Sequence, residues 1–115
     1  MRILSHLRTT MIAVGCFALL AGGPTLFGQK KGDAAKGKEV FDSNCSVCHN
    51  ADSTEKKMGP GLKGLFKRAK LANGKAVNEA NVRAMINEGG GGMPAFADTL
   101  QADEKDNVIA YLKTL

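Results

Sequence analysis

The segment Cys45-Ser46-Val47-Cys48-His49 constrains this 115-residue chain more than any other. Two thiols three positions apart lie one helical turn from each other, too close together to staple a fold, and an imidazole follows directly. This is the attachment pattern for c-type haem. Each thiol can add to one of the porphyrin's two vinyl groups, and His49 then presents its ring to the iron. A zinc site would require further ligands, yet beyond residue 28 the chain has no other Cys or His. A thioredoxin-like dithiol requires a strand before the motif and an α/β pattern around it, and the sequence carries neither.

Residues 1–28 read as a secretory signal peptide and not as part of the fold. Arg2 and Arg8 give the basic start, residues 11–20 (MIAVGCFALL) give the apolar run, and Ala21, Gly22, Gly23 and Pro24 break it. The cleavage site is open between the small residues ending at Gly23 and a second candidate at Gly28. An uncleaved anchor is the alternative if the run extends through Phe27. A lipid anchor on Cys16 fits less well, because the apolar run continues after that cysteine. Residues 29–115 are then expected to form one domain. Its aromatic side chains are Phe41, Phe66, Phe96 and Tyr111, with no Trp, so a protein core alone is meagre and a bound haem is expected to fill the middle. With Arg2 and Arg8 set aside the remaining basic excess is mild, and nucleic acid is not implied.

The organisation along the domain is helical. Asp33 can cap a helix over residues 34–44, where Gly37, Val40 and Phe41 share a face with Ala34, and this helix runs into Cys45. Residues 50–61 are polar and end in Gly59-Pro60-Gly61, which reads as a loop. The spacing of Leu62, Leu65, Phe66 and Ala69 predicts a short helix over residues 62–71, followed by a turn at Asn73-Gly74. Asn78 can cap a helix over residues 79–88, with Val82, Met85 and Ile86 as its stripe and Gly89 as its stop. A last helix is expected over residues 102–114, with Val108, Tyr111, Leu112 and Leu115 on one face. No strand pattern and no internal repeat appear.

Haem iron takes a sixth ligand or keeps an open site, and that choice separates electron transfer from catalysis. Met85 falls on the stripe with Val82 and Ile86 and reads as core. Met58 lies just before Gly59-Pro60-Gly61, close in sequence to His49, and would have to cross from the histidine's side. Met93 follows four glycines, residues 89–92, which let backbone approach a flat ring, and Pro94 stiffens the chain just after the sulfur. Met93 is therefore the favoured sixth ligand, the alternative being a core methionine beside a flexible loop.

These residues resemble the class I, monohaem cytochrome c family over nearly the whole of residues 29–115. Gly37 and Phe41 match the family's glycine and aromatic before the first haem cysteine, and Val108 and Tyr111 match the pair in the last helix against which they pack. Gly59-Pro60-Gly61-Leu62 looks like the segment beneath the ligand histidine, and Gly92-Met93-Pro94 looks like the distal ligand loop. The resemblance implies an all-α cytochrome c-like fold of three to five helices around one covalent haem c. It further implies that the Pro60 carbonyl accepts a hydrogen bond from His49, orienting it and raising its basicity. One departure stands out: relatives often cap the last helix with Ser or Thr and place an apolar residue after it, whereas Gln101 and Lys105 occupy those places here. The first turn of that helix is expected to fray.

With Cys45, Cys48, His49, Met93 and Pro60 in these roles, the expected function is single-electron transfer without enzymatic turnover, in a bacterial periplasm. A haem subunit dedicated to one oxidoreductase complex is the alternative, as is a ligand-binding haem enzyme or sensor should Met93 not ligate. Lys56, Lys57, Lys63, Lys67, Arg68, Lys70 and Lys75 fall in a stretch with no acidic residue. Such a run either steers redox partners with acidic docking surfaces or is an ordinary solvated face.

Overall fold

A computed structural model describes residues 31–115, and the expected signal peptide, residues 1–28, lies outside the described residues. Three α-helices and one 3-10 turn account for the regular structure there: α1 (Ala34–Asn44), the 3-10 turn (Leu65–Lys67), α2 (Glu79–Glu88) and α3 (Ala102–Leu112). Among the described residues there is no strand, and pairing is limited to isolated bridges at Lys70–Ala76 and Gly90–Met93.

Helices α1 and α2 start where a side chain satisfies free N–H groups of the first turn. The Asp33 carboxylate accepts from Ala35 N and Lys36 N at 2.9 and 3.2 Å. Asn78 Oδ1 accepts from Asn81 N at 2.8 Å. At α3 the outcome differs from the expected fraying. Glu104 reaches back to accept from the Gln101 N–H at 2.8 Å, and Lys105 Nζ donates to the Ala97 carbonyl at 2.7 Å. The two places where the sequence departs from its relatives thus lie within a turn tied at both levels.

Helices α1 and α3 cross at Gly37, where a Cβ would fall 1.9 Å from the Asn107 carbonyl oxygen. One turn along, the Phe41 and Tyr111 rings meet edge to face at 5.5 Å between centroids and 60° between planes. The crossing is also tied by the Asp33 N–H, which donates to Asn107 Oδ1 at 2.8 Å. Phe41, Val108, Ile109 and Leu112 from this pair join Leu65, Val82, Ile86 and Leu100 in a single buried cluster. Edge-to-face stacking adds to the burial of both rings, and only glycine at position 37 lets the two backbones come this close.

Two expected helices are shorter in the structure. Of residues 62–71 only Leu65–Lys67 is helical, because Gly64 is left-handed at φ 67° and Arg68 is extended. At the end of α3 the helix stops at Leu112, where the Thr114 hydroxyl takes the Tyr111 carbonyl at 2.6 Å in place of a further helical turn.

Candidate haem site

Helix α1 ends in the site. Cys45 N and Ser46 N both donate to the Phe41 carbonyl, at 2.8 and 3.0 Å, and Cys48 N and His49 N both donate to the Cys45 carbonyl, at 3.1 and 3.0 Å. The turn closes on itself, so the two thiols and the imidazole are presented within one compact coil. Both cysteines are free and half-buried. Burial, and then the nearby charge of Cys48, push the Cys45 thiol up to about 11.

His49 is held through its Nδ1, which lies 2.8 Å from the Pro60 carbonyl oxygen. A carbonyl can only accept, so Nδ1 carries the proton and the Nε2 lone pair is left for a metal. The seat beneath the ring is Gly59, where a Cβ would stand 2.5 Å from Cε1, 2.8 Å from Nδ1 and 3.0 Å from Nε2. Several bonds fix this proximal loop. Gly59 N donates to the Cys48 carbonyl and Leu62 N to the Asn50 carbonyl, each at 2.8 Å. The Arg68 guanidinium donates to the Gly61 and Lys63 carbonyls at 2.8 and 2.6 Å. Arg68 is half-buried against backbone, unlike the exposed lysines of its basic run. Its loop-holding role has no signature in spacing, since charge composition does not distinguish a solvated arginine from one that caps carbonyls.

Met93 comes from the loop after α2. The Gly89 N–H donates to the Met85 carbonyl at 2.8 Å and ends the helix with φ 67°. Gly90 and Met93 then exchange N–H to carbonyl bonds at 2.9 and 3.1 Å across a tip made of Gly91 (φ 60°) and Gly92 (φ 94°). Two successive positive φ values at the tip are the geometry of a tight primed turn. Within the chain, then, Gly91 and Gly92 serve the turn, and the close approach belongs to Gly89, whose Cβ would fall 2.3 Å from the Met93 carbonyl oxygen.

His49, Cys45 and Met93 line one cleft, whose remaining walls are Phe41, Leu62, Ile86, Phe96, Leu100, Val108 and Leu112. The other two methionines are elsewhere. Met58 is 70% exposed, and Met85 is half-buried outside both the cleft and the buried cluster, which revises its reading as a core residue. An imidazole and a thioether among hydrocarbon walls, with a thiol beside them, are side chains and surface that suit a flat, apolar iron macrocycle. Among the described residues no three His, Cys, Asp or Glu side chains gather as a metal site.

Comparison with known proteins finds similarity over most of the described residues. The family model described as cytochrome c oxidase, cbb3-type, subunit III matches residues 32–112. Cytochrome c6 of Leptolyngbya boryana is 41% identical over 80 residues, covering 70% of this chain and 89% of that one. Cytochrome c-554(547) of Halothiobacillus neapolitanus is 33% identical over 89 residues, covering 73% of this chain and 98% of its own. Among solved structures, cytochrome c6 of the diatom Phaeodactylum tricornutum matches with a TM-score of 0.55 at 29% identity, over 72% of this chain and 93% of that one.

Proposed function

Because the chain belongs to the class I, monohaem cytochrome c family, we propose that it carries single electrons with His49 and Met93 as the axial ligands of its one covalent haem c, joined through Cys45 and Cys48. When bound, the haem supplies a ferric/ferrous couple. The observation that carries the ligand assignment is the shared cleft: an imidazole whose Nδ1–H is engaged by Pro60 and whose Nε2 is free, and a thioether, both among apolar walls.

Each residue then has a definite task. Pro60 orients His49 and, by accepting its proton's hydrogen bond, makes the ring a stronger donor. Met93, a soft neutral ligand, favours the ferrous state and raises the potential relative to a second imidazole. The hydrocarbon walls keep water from the iron, which holds the reorganisation on electron transfer small. Were His49 and Met93 both to hold the iron, no coordination site would be left for a substrate, as a carrier requires. Replacing Met93 by Ala tests the assignment. The reduced holoprotein is expected to bind carbon monoxide rapidly and to lose its native optical spectrum, whereas an unchanged spectrum would overturn it.

Redox proteins are the partners of such a carrier. We further assign the exposed Lys63, Lys67 and Lys70 to steering of partners with acidic surfaces. Neutralising all three is expected to slow exchange with an acidic redox protein at low salt and to leave it unaltered at high salt. For location, residues 1–28 act as an export signal to a bacterial periplasm, the mature domain beginning near residue 29. Mass spectrometry of exported protein reads the cleavage point directly. A second reading, a haem subunit fixed in one oxidoreductase complex, draws on the oxidase-subunit description of the matching family model. Affinity capture from native extract separates the two, since a stoichiometric complex is expected only of the subunit.

A further inference from the structure

Between Met93 and the start of α3 the chain forms neither helix nor strand, so the hold on this ligand segment has to come from its neighbours. Pro94 has no N–H to give. On the α2 side the anchor is backbone: Phe96 N donates to the Ile86 carbonyl at 2.9 Å, and Leu100 N then donates to the Phe96 carbonyl at 3.1 Å. On the α3 side it is one side chain. Lys105 Nζ donates to the Ala97 carbonyl at 2.7 Å, and among the described residues no other side chain hydrogen-bonds to residues 93–100.

A lysine at this place in α3 does little for the helix itself. The start of a helix favours acidic side chains over a cation, and relatives often carry an apolar residue here. Lys105 is half-buried, and none of the ion pairs among the described residues includes it. Its ammonium is committed to the segment that carries Met93. The two anchors flank Phe96, one tying its own N–H to α2 and the other tying the next carbonyl to α3, and Phe96 and Leu100 line the same cleft as Met93. The tip glycines add no such hold, since a Cβ at Gly91 or Gly92 would meet nothing within 4 Å.

We propose that Lys105 is a positioning residue for Met93, clamping the ligand segment to α3 so that the thioether stays at the cleft. This rests on the reading of Met93 as an axial ligand and adds what keeps it in place. A hydrogen bond from an ammonium is stronger than a neutral one. Its loss raises the fraction of molecules in which the segment has lifted and an outside ligand can reach the iron.

Optical titration of the ferric holoprotein with imidazole reads that fraction, because imidazole takes the position only where Met93 has left it. Lys105→Ala removes the reach while placing the strongest helix former in α3, and its apparent affinity for imidazole is expected to rise roughly tenfold. Lys105→Arg, which keeps a charged donor, is expected to stay at the native value. So is Glu104→Ala, which loosens the first turn of α3 without removing a bond to residues 93–100. An unchanged affinity in Lys105→Ala would overturn the clamp. An equal rise in Glu104→Ala would do the same, by showing that helix stability alone sets the loop, as would an equal rise in Lys105→Arg. Failure of the axial reading looks different: Met93→Ala would then bind imidazole no more tightly than the native protein, and the proposal would fall with it.

Discussion

A Cβ at Gly59 falls 2.5 Å from the ring of His49, whereas one at Gly64 meets nothing within 4 Å but sits at φ 67°. The two glycines are thus required for different reasons, and alanine separates them. Gly59→Ala crowds the ligand's seat, which is expected to cost about 1–3 kcal/mol and to shift both the reduction potential and the optical spectrum of the holoprotein. Gly64→Ala forces a side chain into left-handed backbone at about 1–2 kcal/mol, and the spectrum is expected to stay as it is. Urea denaturation followed at the haem absorption reads both quantities in one experiment. A spectral change in Gly64→Ala, or none in Gly59→Ala, would show that the seat has been wrongly located.

Helices α1 and α3 form the frame on which the attachment motif is mounted, and the Phe41 ring, 2% exposed, is their shared anchor. Its replacement by Ala leaves a cavity at the crossing. The expected loss is about 3–5 kcal/mol, a large part of the roughly 5–15 kcal/mol that holds a domain of ordinary stability together. Polar ties between elements weigh less. Arg83 of α2 donates to Asp106 of α3, but both side chains are 30% exposed and solvent screens the pair. Asp106→Asn is expected to cost no more than about 1 kcal/mol. Glu104→Ala removes the group that accepts from the Gln101 N–H at the start of α3, for which about 1 kcal/mol is expected. Equilibrium denaturation of these three variants should therefore rank Phe41→Ala far above the others. If Asp106→Asn came out as costly, the view that the α1–α3 crossing dominates would be wrong.

At the scale of the molecule, the buried cluster is eight side chains among the described residues, and the hydrocarbon-walled cleft beside it is shared with His49, Cys45 and Met93. Folding and cofactor attachment are therefore expected to be one event, because the walls of the cleft have no other partner to bury against. The chain carrying Cys45→Ala and Cys48→Ala and lacking haem is expected to show little helix by circular dichroism and no cooperative melting. A sharp thermal transition in that chain would mean that the helices suffice alone.

The local features were readable from the residues in order. The attachment pentad, the caps at Asp33 and Asn78, the glycine stop after α2 and the Gly37–Phe41 pairing with α3 all act within a turn or through a periodicity, so sequence spacing encodes them. The helix expected over residues 62–71 fails for a reason spacing does not carry, the left-handed backbone at Gly64 and the use of Arg68 to cap the loop's carbonyls. Likewise the ranking of Met93, Met58 and Met85 by loop chemistry alone left alternatives, and position separates them: Met93 lines the cleft, whereas Met58 is exposed and Met85, equally half-buried, lies outside it. Hydrogen bonds such as Asp33 to Asn107 join residues 74 positions apart. Short-range chemistry belongs to the sequence by itself. Which carbonyl receives the His49 proton, which thioether enters the apolar cleft and which apolar side chains stay outside it are set by long-range contacts, and those exist only when the whole chain is folded.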